Sequence, residues 1–349
     1  MESIFGQTLV QLENTLESWG QKAFYGSVIY DWIYQKKVRN FQSMTNLSLE
    51  LRQALEKHFH FQLPSIHVRR DSLDRTVKLL LKLEDGFLIE AVLMRYNYGN
   101  VICVTTQVGC NIGCSFCASG LLKRQRNLTA GEMIAQIVVM NDLLDAEGRK
   151  ERVSHIVAMG TGEPFDNYDH VMNFIRIANH NKALAIGARH ITVSTSGFPE
   201  KIKQYGHEPL QINLAVSLHA PTNEIRTRLM KINQAFPLEK LIPAIKDYQT
   251  NSGRRITFEY ILIEGINDQI EHAVQLAELI KDLFCYVNLI PYNAVMENEY
   301  RRPHPQAVNA FMSKLIELGI NATVRKEFGH DIEAACGQLR AKHKHEEAR

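Results

Sequence analysis

The alternation of strand-like and helix-like segments from residue 100 onward limits the possible folds more than any other feature of the sequence. The strand-like apolar runs are 101–107, 153–160, 190–196, 211–219, 255–263 and 286–292. The helix-like stretches among them are 130–145, 170–181, 238–249 and 270–283. Such an alternation builds a parallel sheet with helices packed on it. The sheet is either a partial barrel or an open doubly wound sheet, because both have this periodicity.

Polar and glycine-containing segments follow four of the strand-like runs. They are 160–164 (Gly-Thr-Gly-Glu-Pro), 194–197 (Ser-Thr-Ser-Gly), 217–219 (Ser-Leu-His) and 291–293 (Pro-Tyr-Asn). In parallel α/β folds, the carboxyl ends of the strands form the working face. The sequence therefore predicts one convergent site at that edge of the sheet.

The chain divides into four parts by pattern. Residues 1–60 have helix-like apolar spacing, 61–99 are rich in strand formers, 100–325 carry the alternating units and 326–349 form a C-terminal segment. No apolar run approaches the roughly 20 residues that a membrane-spanning helix needs. The N-terminus lacks the basic and apolar parts of a signal peptide. We therefore expect a cytoplasmic protein with no membrane segment.

The charge balance gives little information about partners. The net charge is +2, from 40 basic and 38 acidic residues, so there is no bulk basic signal for nucleic-acid binding. Basic residues cluster at 36–39, 69–70, 123–126 and 342–344. Each such cluster is more often a solvated surface than a binding site. Together they are compatible with RNA binding without requiring it.

Three of the six cysteines, Cys110, Cys114 and Cys117, form a C-x3-C-x2-C array directly after a strand-like run. Three thiolates can hold three irons of a [4Fe–4S] cluster. The fourth iron is then open to the amino and carboxylate groups of S-adenosylmethionine (SAM), and Gly162 and Glu163 would face its methionine part. The alternative is zinc held by these cysteines and a histidine, although the second cysteine pair usual in zinc motifs is absent.

Five segments of the chain resemble the RlmN family and its relative Cfr, which are radical SAM proteins. The segments are 107–120 around the three cysteines, 159–164, 193–197, 217–221 and 331–339 (Asp-Ile-Glu-Ala-Ala-Cys-Gly-Gln-Leu). The resemblance implies an α/β fold, a partial (β/α)6 radical SAM barrel over 100–325 with a small helical N-terminal domain. It also implies that 1–60 bind RNA, that 61–99 connect the two parts and that 326–349 carry a methyl-carrier cysteine.

The activity implied by the resemblance is methylation of adenine C2 in 23S rRNA, at the peptidyl-transferase centre, and in tRNA next to the anticodon. Two SAM molecules would be used per turnover, because Cys336 is methylated first and its methyl group is then activated for transfer. Glu90 would accept a proton, and Cys103 would release the RNA by forming a disulfide with Cys336. The implied SAM contacts are Gly162, Glu163, Ser194, Ser217, Leu218, His219 and Asn293. A monomer and an electron donor such as flavodoxin or ferredoxin are also expected.

Three alternatives remain open. Phe328-Gly before the last motif matches Cfr, which methylates C8 of the same rRNA adenine, whereas Pro164 after Gly-Glu favours C2. A radical SAM activase of glycyl-radical enzymes would share the three clustered cysteines but would have no use for Cys103 and Cys336. A zinc-stabilised RNA-binding module would need no iron.

Overall fold

The strands expected after residue 100 lie side by side in one sheet of this computed structural model, which describes residues 1–295 and 298–339. The strands are β1 (Glu2–Ser3), β2 (Phe59–His60), β3 (Ser65–Asp71), β4 (Val77–Lys82), β5 (Leu88–Tyr96), β6 (Gly99–Cys103), β7 (Gln107–Val108), β8 (Arg126–Asn127), β9 (Val153–Ala158), β10 (Ile191–Thr195), β11 (Asn213–Ser217), β12 (Ile256–Leu262), β13 (Cys285–Pro291) and β14 (Ala322–Val324). The basic cluster at 342–344 and the end of the segment 326–349 lie outside the described residues.

The helices begin largely where the sequence supplies a cap. They are α1 (Leu9–Ser18), α2 (Tyr25–Tyr30), α3 (Leu49–His58), α4 (Ala130–Ala146), α5 (Tyr168–Asn179), α6 (Pro199–Gly206), α7 (Asn223–Leu229), α8 (Leu238–Ser252), α9 (Ile270–Ile280) and α10 (Pro305–Glu317). Thr129 caps α4, since its hydroxyl accepts from the Glu132 amide at 3.2 Å while its own amide donates to the Glu132 carboxylate at 2.9 Å.

The order of the strands decides between the two folds that the periodicity left open. The ten-stranded sheet runs β14-β13-β12-β11-β10-β9-β6-β5-β4-β3. All neighbours from β6 to β14 are parallel, and the chain advances one strand at a time in one direction. A doubly wound sheet reverses its direction at a switch point. The fold is therefore a partial barrel of six βα units, with the helices α4 to α10 in its crossovers.

The N-terminal helices form a small domain that packs on α4. The short strands β1 and β2 pair and bring the two ends of this domain together. Gly6 and Gly131 touch through their backbones, and a Cβ at Gly131 would lie 3.0 Å from the Gly6 nitrogen. Side chains of this domain and of the barrel belong to one continuous apolar core. Helix α4 is buried on most sides because it lies between them.

The antiparallel strands β3, β4 and β5 extend the barrel sheet beyond β6. Cys103 at the end of β6 lies opposite Val92 of β5 and Val157 of β9. After β14 the chain folds back over these strands, and Phe328 and Leu339 pack in one apolar cluster with Cys103. In the described part of the chain, none of the helices has the length and apolar character needed to cross a membrane.

Candidate active site

The three clustered cysteines lie in the loop between β7 and β8, at the carboxyl end of the barrel strands. The antiparallel pairing of β7 with β8 closes the two ends of this loop. Gly109 enters the loop with a φ of +76°, and a Cβ there would lie 2.3 Å from the Lys123 carbonyl oxygen. Only glycine fits such an approach. All three thiols are free and half-buried.

These thiols have the properties that an iron–sulfur cluster requires. Cys110, Cys114 and Cys117 line one cavity of about 850 Å³, a volume that includes the open space at its mouth. Burial is the main cause that raises the pKa of Cys110 to about 12, with smaller contributions from the negative charges of Glu163 and Cys117. Burial also raises the pKa of Cys114 well above its usual value, and the thiolates of Cys117 and Cys110 contribute. A group bound by three thiolates here must therefore bring positive charge, as iron does.

The donor geometry does not favour a single zinc ion. Within residues 1–295 and 298–339, no three His, Cys, Asp or Glu side chains are arranged to hold one metal ion. Zinc needs four donors around one centre, whereas each cluster thiolate binds its own iron and the ligands lie farther apart. The three cysteines therefore fit the cluster better than they fit zinc.

Five of the residues expected to contact SAM line the same cavity as the cysteines. They are Gly162, Glu163, Ser194, Ser217 and His219. They come from the carboxyl ends of β9, β10 and β11, as the sequence analysis expected. Gly162 has a φ of +110°, and a Cβ there would lie 2.7 Å from the Gln107 Cβ. The turn after β9 is thus packed directly against the start of the cysteine loop.

The Glu163 carboxylate already has several partners. It accepts hydrogen bonds from the Thr195 hydroxyl at 2.7 Å, the Ser196 amide at 2.7 Å and the Phe165 amide at 2.9 Å. Burial raises the pKa of Glu163, and these hydrogen bonds oppose that rise. The carboxylate therefore ties the turn after β9 to the end of β10, and a bound ammonium group would share it with these donors.

His219 is held as a neutral donor. Its Nδ1 accepts a hydrogen bond from the Ile261 amide at 3.0 Å, so its Nε2 carries the proton. Burial lowers the pKa of His219 to about 3, and the positive charge of Arg226 adds to the effect. The ring meets the Phe116 ring edge-on, with centroids 4.9 Å apart. Both rings line the cavity beside the cysteine loop.

Leu218 and Asn293 are placed differently from the other expected SAM contacts. The Leu218 side chain is fully buried in the main core and its amide donates to the Glu259 carbonyl at 3.1 Å, so only its backbone is near the strand ends. The Asn293 side chain donates to the Cys336 carbonyl at 3.3 Å. In this conformation Asn293 therefore holds the C-terminal segment.

Cys336 lies at the wall of the cavity that the three clustered cysteines line. Its segment is fixed to the cysteine loop, because the Ala118 amide donates to the Gly337 carbonyl at 2.8 Å and the Ser119 hydroxyl donates to the Leu339 carbonyl at 2.7 Å. Cys103 is buried beneath this segment. Burial raises the pKa of Cys103 to about 12, and the nearby Cys336 thiolate contributes. The thiols of Cys103 and Cys336 are therefore close enough to interact electrostatically.

Glu90 is buried in β5, although glutamate is rarely buried unless it is paired. Its Oε1 lies 3.2 Å from the Lys78 Nζ, and both side chains are less than a tenth exposed. The Glu90 carboxylate is also close enough to Cys103 to oppose ionisation of that thiol. Of the three expected catalytic residues, Cys336 therefore lines the cavity, while Cys103 and Glu90 are buried within electrostatic range of each other.

Comparisons with known proteins agree on the family. A family model described as "Radical SAM superfamily" matches residues 104–277, and one described as "Ribosomal RNA large subunit methyltransferase N-terminal domain" matches 3–61. Relatives named "Probable dual-specificity RNA methyltransferase RlmN" include one from Shouchella clausii, 54% identical over 98% of this chain and 97% of its own. Another, from Geobacillus kaustophilus, is 55% identical over 100% of this chain and 95% of its own. The chain belongs to the RlmN family.

A solved structure supports the same assignment. A radical SAM methyltransferase from Sphaerobacter thermophilus is 41% identical to this RlmN family member and superposes with a TM-score of 0.91, covering 98% of this chain and 100% of that one. The partial barrel and the small N-terminal domain are therefore those of the radical SAM fold. Membership of the superfamily implies a [4Fe–4S] cluster and SAM as cofactors.

Sequence reasoning missed three cations of this RlmN family site, of which Lys78 and Arg226 are buried and Arg325 is half-buried. Arg325 lies 3.5 Å from the Glu259 carboxylate, and although burial lowers its pKa, Glu259 and the nearby thiols raise it more. Arg226 donates to the Ser196 carbonyl at 2.6 Å and so fixes the chain directly after β10. Lys78 pairs with Glu90. No local pattern marks these residues, because their partners are distant in the sequence.

Proposed function

We propose that this chain methylates C2 of adenine in 23S rRNA and in tRNA next to the anticodon. The RlmN relatives carry the name of dual-specificity RNA methyltransferases, which supports RNA as the substrate class. The Gly-Glu-Pro sequence ending at Pro164 supports C2. The enzyme acts as a cytoplasmic monomer and receives electrons from a donor such as flavodoxin or ferredoxin.

The cluster and two SAM molecules per turnover, when bound, supply the methyl group and the radical that activates it. Cys110, Cys114 and Cys117 hold the cluster. Gly162, Glu163, Ser194, Ser217, Leu218, His219 and Asn293 are the proposed SAM contacts. Phe116 and His219 keep water from this side of the cavity.

The remaining residues handle the RNA. Cys336 carries the methyl group on its Sγ and forms the covalent bond to adenine through the methyl carbon. Glu90 accepts the proton that C2 loses. The Cys103 thiolate then attacks the Cys336 sulfur, so that a disulfide forms and the bond between that sulfur and the methyl carbon breaks. The electron pair of the broken bond stays on the carbon, which takes up a proton to become the methyl group of the product. The observation that carries this proposal is the position of Cys336, which lines the cysteine cavity and is close enough to Cys103 for the two thiols to interact electrostatically.

A second cavity, which adjoins the one that Cys336 lines, supports a route by which RNA reaches Cys336. It occupies about 1730 Å³ at the amino ends of the barrel strands and shares Met159, Glu259 and Arg325 with the cysteine cavity. Its other cations are Arg189, Arg254, Arg255 and Lys326. Lysine and arginine are the residues that bind RNA phosphates. We call these four residues the basic mouth of the barrel, and we place RNA docking there in the proposal.

The two unpaired cysteines should behave differently when each is replaced. Cys336→Ala should never become attached to RNA, because it has no sulfur to carry the methyl group. Cys103→Ala should still be methylated at Cys336 and joined to adenine, and should then co-purify with crosslinked RNA. Nuclease digestion followed by peptide mass spectrometry would reveal a nucleotide on the peptide that contains Cys336.

Cys285→Ala is the matched control, since Cys285 is a buried thiol in β13, a strand that bears neither expected thiol. It should turn over normally and carry no nucleotide. An adduct in Cys336→Ala, or full turnover by Cys103→Ala, would contradict the proposed roles. Mass spectrometry of adenosines from cells with and without the gene separates 2-methyladenosine from the 8-methyladenosine that a Cfr-type enzyme makes.

A further inference from the structure

Lys78 in β4 is a buried cation that pairs with Glu90, one of the expected catalytic residues. Its Nζ lies 3.2 Å from the Glu90 Oε1, and the two side chains are 8% and 5% exposed. A buried ion pair persists only when additional hydrogen bonds satisfy its atoms. Lys78 has such a bond, because its Nζ donates to the Glu333 carbonyl at 2.8 Å.

Glu333 lies three residues before Cys336, and the β3–β4 hairpin holds the same segment at further points. The Gly329 amide donates to the Asp74 carboxylate at 2.9 Å. Asp331 accepts from the Leu73 amide at 3.2 Å and from the Ser72 hydroxyl. Lys78 is therefore the point at which this hairpin connects the methyl-carrier segment to Glu90.

We propose that Lys78 is a positioning residue, which keeps Glu90 in its carboxylate form and fixes the Cys336 segment beside it. The inference rests on the proposed function, in which Glu90 accepts the proton of adenine C2. A base must be ionised before it can accept a proton, and a cation within ion-pair distance favours the ionised form.

The surroundings of Glu90 show why a cation is needed there. Cys103 of β6 is close enough to the carboxylate to interact with it electrostatically, and Cys336 and Arg325 also act on the Cys103 thiol. A thiolate at Cys103 opposes the negative charge of Glu90, whereas the Lys78 ammonium at 3.2 Å favours it. When Glu90 takes up a proton, Lys78 keeps its hydrogen bond to the Glu333 carbonyl, so the Cys336 segment remains docked.

The test compares three substitutions of Lys78 in the reconstituted holoenzyme. Lys78→Met removes both interactions, Lys78→Gln keeps a donor for the Glu333 carbonyl without the charge, and Lys78→Arg keeps the charge. The matched control is Lys82→Met, which removes an exposed lysine from the same strand. The measurement is single-turnover RNA methylation as a function of pH, starting from enzyme already methylated at Cys336.

Lys78→Met and Lys78→Gln should move the acid limb of the pH–rate profile upward by about 1–3 pH units, because the carboxylate then takes up its proton at higher pH. Lys78→Arg should restore most of the activity, and Lys82→Met should match the parent enzyme. Glu90→Gln should abolish the limb. A Lys78→Gln profile with the parent limb and only a lower melting temperature would overturn the inference. If the parent enzyme itself makes no 2-methyladenosine, the proposed function fails instead.

Discussion

The N-terminal domain and the basic mouth of the barrel both concentrate cations, but they use them in opposite ways. In the cluster 36–39, Lys36 lies 3.2 Å from Asp31, Lys37 pairs with Asp145 and Arg39 lies 3.3 Å from Asp142. Asp142 and Asp145 belong to α4, so two of these cations attach the N-terminal domain to the barrel. The positive charge of this cluster is largely neutralised within the protein.

The cations of the basic mouth have neutral partners instead. Arg189 and Arg254 donate to side-chain amides, at 2.7 Å to Gln211 and 2.8 Å to Asn213. Arg255 and Lys326 lie over the rings of Tyr286 and Phe328. In the part of the chain that the structure describes, none of these four forms an ion pair with a carboxylate. Their charge therefore stays available to a polyanion.

This contrast shows that adjacent basic residues in a sequence are a weak guide to an RNA-binding surface. The cluster 36–39 is visible in the sequence, but its cations form ion pairs with acidic residues of the protein itself. The basic mouth is assembled from positions 189, 254, 255 and 326, which only the barrel brings together. RNA binding by residues 1–60 stays a prediction, and the predictions that follow test which region contributes more.

The largest expected effect comes from Arg325, a cation of the second cavity that, unlike the four residues of the basic mouth, lies in an ion pair with a described carboxylate. Arg325→Met leaves Glu259 buried without its cation at 3.5 Å. Removing one member of a buried ion pair costs about 3–5 kcal/mol of unfolding free energy. Chemical denaturation should show this loss, and the double variant Arg325→Met with Glu259→Gln should recover part of it. A loss below about 1 kcal/mol would mean that the pair is solvated.

The sequence predicted most of the barrel and much less of the site. The run 153–160 became Val153–Ala158, and 255–263 became Ile256–Leu262, because apolar runs between turn residues mark buried strands. β14 was missed, since it is three residues long and only half-buried. The three clustered cysteines were found by their spacing, a local signal. The Lys78–Glu90 and Arg325–Glu259 pairs were not predicted from the sequence, because each joins residues on separate strands or loops.

The next effect should fall on RNA affinity. Replacing Arg189, Arg255 and Lys326 together with Gln should weaken RNA binding about tenfold or more, roughly 1.4 kcal/mol. It should also reduce the slope of log affinity against log salt by about 0.7 for each phosphate that the variant no longer neutralises. Fluorescence anisotropy with a labelled RNA at several salt concentrations measures both quantities. The matched control replaces Lys36 and Lys37 with Gln, and an equally weakened affinity in that control would place RNA docking on both regions.

The smallest effect should come from Arg39 in the N-terminal cluster. Arg39→Gln removes the ion pair with Asp142, whose two side chains are 27% and 42% exposed. Exposed pairs contribute about 0.2–1 kcal/mol, because water screens the charges and the side chains lose freedom. The Arg39→Gln substitution also removes a donor to the Ile33 carbonyl at 3.1 Å, so the loss of unfolding free energy should lie near the upper end of that range. Thermal unfolding should detect this loss, while anisotropy titrations should give the parent RNA affinity and an unchanged salt slope.

The control Asp142→Asn removes the same ion pair without changing any cation. If Arg39→Gln weakens RNA binding and Asp142→Asn does not, Arg39 contacts RNA directly and the contrast between the two regions is wrong at this residue.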